Sequence, residues 1–214
     1  MEDYVKSAWE ALCRSYTSDE TLIRQLWDEL EKAYTAKDRH YHNLEHIAYM
    51  LELADRYKQE SPQQDLLRFA IFYHDIVYKA TRSDNEEQSA ALAEERLHRL
   101  GIPEVDILQV KEMIIATKSH QTHKNDLINL LLDLNLAILG ADQKRYDRYS
   151  QGVRKEYSIY PDLVYKPGRR KVLLHFLAQE HIYKTLEFQG AFEDKARANL
   201  QRELALYSEQ KRLS

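Results

Sequence analysis

Five glycines and four prolines are all the chain breakers in this sequence of 214 residues. A sheet protein turns every few residues, and its turns draw on glycine and proline for their backbone angles. So few breakers predict long helices and an all-α fold. The hydrophobic pattern agrees. Over 20–36, Leu22, Ile23, Leu26, Trp27, Leu30 and Ala33 recur at three- and four-residue steps with charges between them. Thr17 and Ser18 ahead of Asp19 and Glu20 suit the start of that helix.

The same period predicts a helix over 43–57 and a third whose first turn lies near Pro62 and whose apolar set is Leu66, Leu67, Ala70, Ile71 and Phe72. A polar segment over 79–85 interrupts the pattern, and a helix over 86–100 is expected to stop at Gly101. Pro103 opens a fifth helix, with Val105, Leu108, Val110, Met113 and Ile114. After another polar stretch, 118–125, the run LINLLLDLNLAIL over 127–139 is apolar nearly all round, which marks a buried helix ending at Gly140. Segments 142–158 and 168–185 read as two more helices, separated by Pro161 and by Pro167-Gly168. The last helix, over 189–208, is charged and carries an apolar stripe of Ala196, Leu200, Leu204 and Leu206. No repeat or long linker interrupts the order. The simplest organisation is one all-helical domain over 1–214, sharing the core that the 127–139 helix provides.

Composition removes several classes of function. Thirty-five acids against 31 bases give a formal charge of −4, so there is no general footprint for a nucleic-acid polymer. A single cysteine, Cys13, excludes an internal disulfide framework. No run of about 18 apolar residues exists to span a bilayer. The N-terminal MEDYVKSAWEAL is acidic and mixed, without an apolar signal region, so the cytoplasm is the expected location.

The nine histidines are unevenly placed. His40, His42 and His46 fall within seven residues, and His74 is followed at once by Asp75. His42 and His46 are four apart and would share a face if both were helical. His74 and Asp75 end the apolar run LLRFAIFY, and Asp133 sits among leucines. Buried ionisable groups need partners, because an unpaired charge out of water costs several kcal/mol. A shared divalent cation would meet that need, since histidine and carboxylate suit such ions.

The ordered set of a histidine, a His-Asp doublet and a later aspartate resembles the HD-domain superfamily of metal-dependent phosphohydrolases. The likeness is closest to a bacterial group described as predicted metal-dependent HD phosphohydrolases. It runs through RHYHNLEHI at 39–47, FYHDIVY at 72–78, NEEQSA at 85–90, IIATKSH at 114–120, LLDLNLAILG at 131–140, VRKEY at 153–157 and ARANL at 196–200. It implies an all-helical bundle with a central metal held by His46, His74, Asp75 and a later residue. That residue is either Asp133 or Asn135, because this chain has Asp-Leu-Asn where the family usually shows D-x-D. Residues two apart on a helix point roughly 200° apart, so one of the two is the ligand.

The segment YHNLEH is also similar to the YHN-x-x-H signature of cyclic-nucleotide phosphodiesterases. That likeness makes His42 the candidate general acid; the alternative is that His42 simply bonds a neighbouring helix. Glu86, at an expected helix start, could orient the attacking water or bind a second cation, or could simply favour the helix dipole. Lys118, His120, Arg154, Arg169 and Arg170 are candidate phosphate contacts, with surface ion pairing as the alternative role for each arginine.

The expected activity is hydrolysis of a phosphate ester of a nucleotide or other small metabolite, by metal-activated water. The cofactor is a divalent ion, and manganese, magnesium, iron, cobalt and zinc are not distinguished. No membrane partner is expected, and the oligomeric state is open. A second reading is a nucleotide- or metabolite-sensing protein that kept the pocket and lost turnover at Asn135. A third is a two-iron oxygenase, for which only Glu86, Glu87 and His120 could add ligands.

Overall fold

The computed structural model describes residues 1–57 and 63–209. Among them every regular element is helical: α1 (Glu2–Arg14), α2 (Glu20–Tyr34), α3 (Leu44–Arg56), α4 (Gln64–Tyr73), α5 (Asn85–Arg99), α6 (Glu104–Ala116), α7 (Asp126–Leu136), a 3-10 turn (Ala137–Gly140), α8 (Gln143–Glu156), α9 (Asp162–Leu177) and α10 (Leu186–Glu209). The expected role of Pro62 lies outside the described residues. No described helix is long and apolar enough to cross a membrane. Packing divides the chain into two compact units, Met1–Leu134 and Asn135–Ser214.

In the first unit α4 is the hub, touching α1, α3, α5 and α6. Its sequence explains why. Leu66, Leu67, Phe69, Ala70, Ile71, Phe72 and Tyr73 are all buried, and only Gln64, Asp65 and Arg68, near its start, are half-exposed. Trp9 of α1 meets Phe69, Phe72 and Tyr73 edge-on, with ring centroids 6.1, 5.1 and 5.9 Å apart. Helix α1 itself lies outside the predicted set. Its stripe of Val5, Trp9, Leu12 and Cys13 is helical in period, but it is short and diluted by exposed charges.

The ends of the helices follow local chemistry. Asp19 caps α2 by accepting from the Thr21 and Leu22 amides, both at 3.0 Å. After α5, Gly101 adopts φ 76°. The Gly101 amide then reaches the His98 carbonyl at 3.0 Å and the Ile102 amide reaches that of Leu97 at 3.2 Å, a Schellman closure that favours glycine.

The second unit corrects two expectations. Pro167 does not separate helices; it lies inside α9. The proline removes one hydrogen bond, to the carbonyl of Leu163. Leu163 is 90% exposed, so water can meet that carbonyl. The helix is held instead by Tyr165, Arg169 and Leu173, buried one turn apart on one face. α9 ends at Leu177, so 178–185 is irregular. Gly140 closes a 3-10 turn, where a Cβ would come within 2.6 Å of the Phe192 carbonyl oxygen of α10. Close helix approach therefore requires glycine there.

Candidate metal centre

The apolar hub delivers the first donor. His74 is the C-terminal cap of α4, its amide bonded to the Ala70 carbonyl at 2.9 Å, and its side chain has no exposure to water. Its Nδ1 lies 2.9 Å from the Ile71 carbonyl oxygen. A carbonyl only accepts, so Nδ1 carries a proton and Nε2 is left to face the cluster. His46 arrives from the first turn of α3, which Asn43 caps by accepting from the Glu45 amide at 2.9 Å.

The His46 and His74 Nε2 atoms are 3.2 Å apart, and Asp75 Oδ2 is 3.0 Å from His74 Nε2. One donor atom from each of His46, His74 and Asp75 lies within 4.8 Å of the others. Two donors bound about 2.1 Å from one ion at tetrahedral or octahedral angles stand about 3.0–3.4 Å apart, so the set fits a shared cation. Outer partners orient it. The Tyr41 hydroxyl is 3.2 Å from His46 Nδ1, and the Ile71 carbonyl fixes His74, the kind of support that ligating imidazoles usually have.

The electrostatics show how these groups meet one another. A neutral His74 with its proton on Nδ1 would aim a lone pair at the Asp75 carboxylate. Burial opposes the protonated form of His74, but the Asp75 carboxylate overrides it and lifts the imidazole above its ordinary pKa. Burial likewise opposes ionisation of Asp75, yet the His74 and His42 imidazoles hold its carboxyl well below the usual carboxylate range. Without a metal the cluster keeps a proton in that place.

His42 joins the site, but not through a shared helix face. It precedes α3 in the non-helical stretch 40–43, and its Nε2 is 3.9 Å from Asp75 Oδ2. Its ring lies 4.1 Å from that of Tyr78, tilted by 31°. Arg39, three residues before His42, donates from Nη1 to the carbonyls of His42 (3.0 Å) and Asp75 (2.6 Å), and from Nη2 to that of Ile76 (2.8 Å). The segment after the doublet is anchored by α5. Ser89 Oγ accepts from the Val77 amide at 3.1 Å and donates to its carbonyl at 3.2 Å; Asn85 brackets Lys79 in the same way, both contacts at 3.0 Å. Arg39, Asn85 and Ser89 are contributions that sequence reasoning missed. Their partners are main-chain groups, which leave no mark on residue spacing.

The other expected site residues are distributed as follows. Asp133 of α7 is fully buried, whereas Asn135 is half-buried, so the two face different surroundings as a 200° offset requires. Glu86 is half-buried in the first turn of α5 and is not one of the three clustered donors. Lys118 is exposed and bonds the Glu87 carboxylate and, at 2.7 Å, the Ser83 carbonyl. His120 is half-buried just after α6, with φ 52°. Arg154 and Arg170 belong to the second unit. Arg154 ties the end of α8 to the start of α9 through Tyr157 (3.0 Å), Tyr160 (3.2 Å) and Asp162 (2.9 Å), and Arg170 is exposed. A second donor group, Glu94, His98 and Glu104, lies nearer the surface, with Glu94 engaged by Lys111 at 2.7 Å.

Comparison with family models, with curated proteins and with solved structures finds no match for this chain.

Proposed function

We propose that the first unit is a metal-dependent phosphohydrolase centre of the HD type, acting on a nucleotide or other small phosphate ester. The observation that carries this reading is the convergence of His46, His74 and Asp75, with His42 3.9 Å from the same carboxylate. Their neutral imidazoles and carboxylate would hold a divalent cation; Asp133, outside these three clustered donors, is the residue proposed to move in as the fourth. When bound, such an ion supplies Lewis-acid polarisation of a phosphoryl oxygen and activation of water.

The chain's own residues supply the rest. Tyr41 and the Ile71 carbonyl hold the two imidazoles in their working orientation. His42 stands outside the donor set and beside it, where it can give a proton from Nε2 to a departing oxygen. The irregular, anchored segment 75–79 forms one wall, with the Tyr78 ring against His42.

The test is a screen of phosphomonoesters, phosphodiesters and nucleotides against manganese, magnesium, iron, cobalt and zinc, with parent and His74→Ala proteins side by side. Metal-stimulated hydrolysis by the parent alone supports the reading. Equal turnover by both, or metal binding with no turnover of any ester, refutes it.

A further inference from the structure

We propose that Arg39 is the positioning residue that sets His42 against Asp75. The inference rests on the reading of His42 as the proton donor and extends it to a residue without contact to the donor atoms. Arg39 is only 9% exposed, and its guanidinium spends its hydrogen bonds on main-chain carbonyls rather than on a carboxylate. One nitrogen, Nη1, serves both His42 and Asp75, at 3.0 and 2.6 Å. It thus joins two stretches that sequence keeps more than thirty residues apart.

The stretch carrying His42 has no helical hydrogen bonds to define it. The guanidinium fixes it twice. It donates directly to the two carbonyls, and it lies 5.3 Å from the centroid of Tyr78, the ring against which His42 packs at 4.1 Å. It also lies 5.2 Å from the centroid of the Tyr34 ring. Tyr34 is itself anchored, donating to the Phe72 carbonyl at 2.9 Å. Arg39 is thus tied through Tyr34 to the hub helix. Lysine cannot replace it, because an ammonium lacks the planar fork that reaches three carbonyls while stacking on two rings.

The experiment compares parent, Arg39→Lys and His42→Ala by two readouts. The first needs neither metal nor substrate: NMR cross-relaxation between the His42 and Tyr78 ring protons. It is present in the parent and lost in Arg39→Lys. The second is manganese-dependent hydrolysis of a phenyl and a p-nitrophenyl phosphodiester. Arg39→Lys lowers kcat about 100-fold for the phenyl ester with KM within about threefold, since displacement by about 1 Å is enough. The p-nitrophenyl ester, whose leaving group needs little protonation, loses less than about fivefold. His42→Ala shows the same pattern. A merely structural role would slow both esters alike.

Retained cross-relaxation in a folded Arg39→Lys protein, or equal losses on both esters, overturns the proposal. If the parent hydrolyses neither ester, the phosphohydrolase reading fails, while loss of cross-relaxation still establishes the positioning. Should Arg39→Lys not fold, Tyr78→Leu removes the intervening ring and must give the same selective loss on the phenyl ester; an unselective loss overturns the proposal.

Discussion

Each unit buries a carboxylate, and the two are met in opposite ways. In the second unit Glu203 receives Arg169 through two parallel bonds of 2.8 and 2.9 Å, the Tyr146 hydroxyl at 2.5 Å and the Tyr207 hydroxyl at 3.1 Å. Burial works against its charge, but the Arg169 bonds prevail and its pKa falls below the ordinary glutamate value. All of its partners are protonated at any physiological pH, so nothing there can exchange. In the first unit Asp75 is met by the imidazoles of His74 and His42, 3.0 and 3.9 Å away. The difference separates a charge closed by a permanent cation from one whose partners can change. A closed pair with a permanent cation is part of the scaffold; a carboxylate among imidazoles holds a place that a proton or a metal ion can take.

The sharpest way to break this comparison is to remove the permanent cation. Arg169→Ala should destabilise the protein by about 3–5 kcal/mol in urea unfolding, because Glu203 is left buried and uncompensated. A loss below about 1 kcal/mol would mean that the pair is not the structural element described. Next in size, Asp75→Ala should weaken manganese binding by more than about 100-fold, beyond what loss of an outer partner costs, while far-UV circular dichroism stays unchanged.

The pH dependence should separate the two sites by sign. The folded pKa of Glu203 is lowered, so its contribution is present above about pH 4.3, the unfolded value, and is lost as pH falls through the folded one. Asp75 behaves likewise on the acid side. The folded pKa of His74 is raised, so its contribution is complete below about pH 6.5 and is lost as pH rises through the folded value. Metal-free protein should therefore weaken on both sides, and added metal should cancel the alkaline loss. Stability that declines only in acid, with or without metal, would contradict the His74 assignment. The smallest effect expected is that of Tyr41→Phe, which should lower metal affinity by about tenfold by freeing His46 Nδ1.

The helices were legible where a stripe of large apolar residues repeats, as in α2, and where a glycine closes an end, as at Gly101. Pro167 misled because tertiary contacts of Tyr165, Arg169 and Leu173 outweigh one lost hydrogen bond. In the site, the doublet was legible because two ionisable groups end the apolar run that becomes α4. His42 is expected at the site from the YHN-x-x-H likeness, and a face shared with His46 would follow only if both were helical; the structure brings it in on a loop pinned by Arg39 instead. Side chains that act on carbonyls or amides, as Arg39, Asn85 and Ser89 do, are invisible to spacing.

The most direct test of the central claim is anomalous diffraction from crystals equilibrated with manganese. The account predicts one strong peak about 2.0–2.4 Å from His46 Nε2, His74 Nε2 and an Asp75 oxygen. A peak elsewhere in the chain, with these three side chains still bonded only to one another, would contradict it.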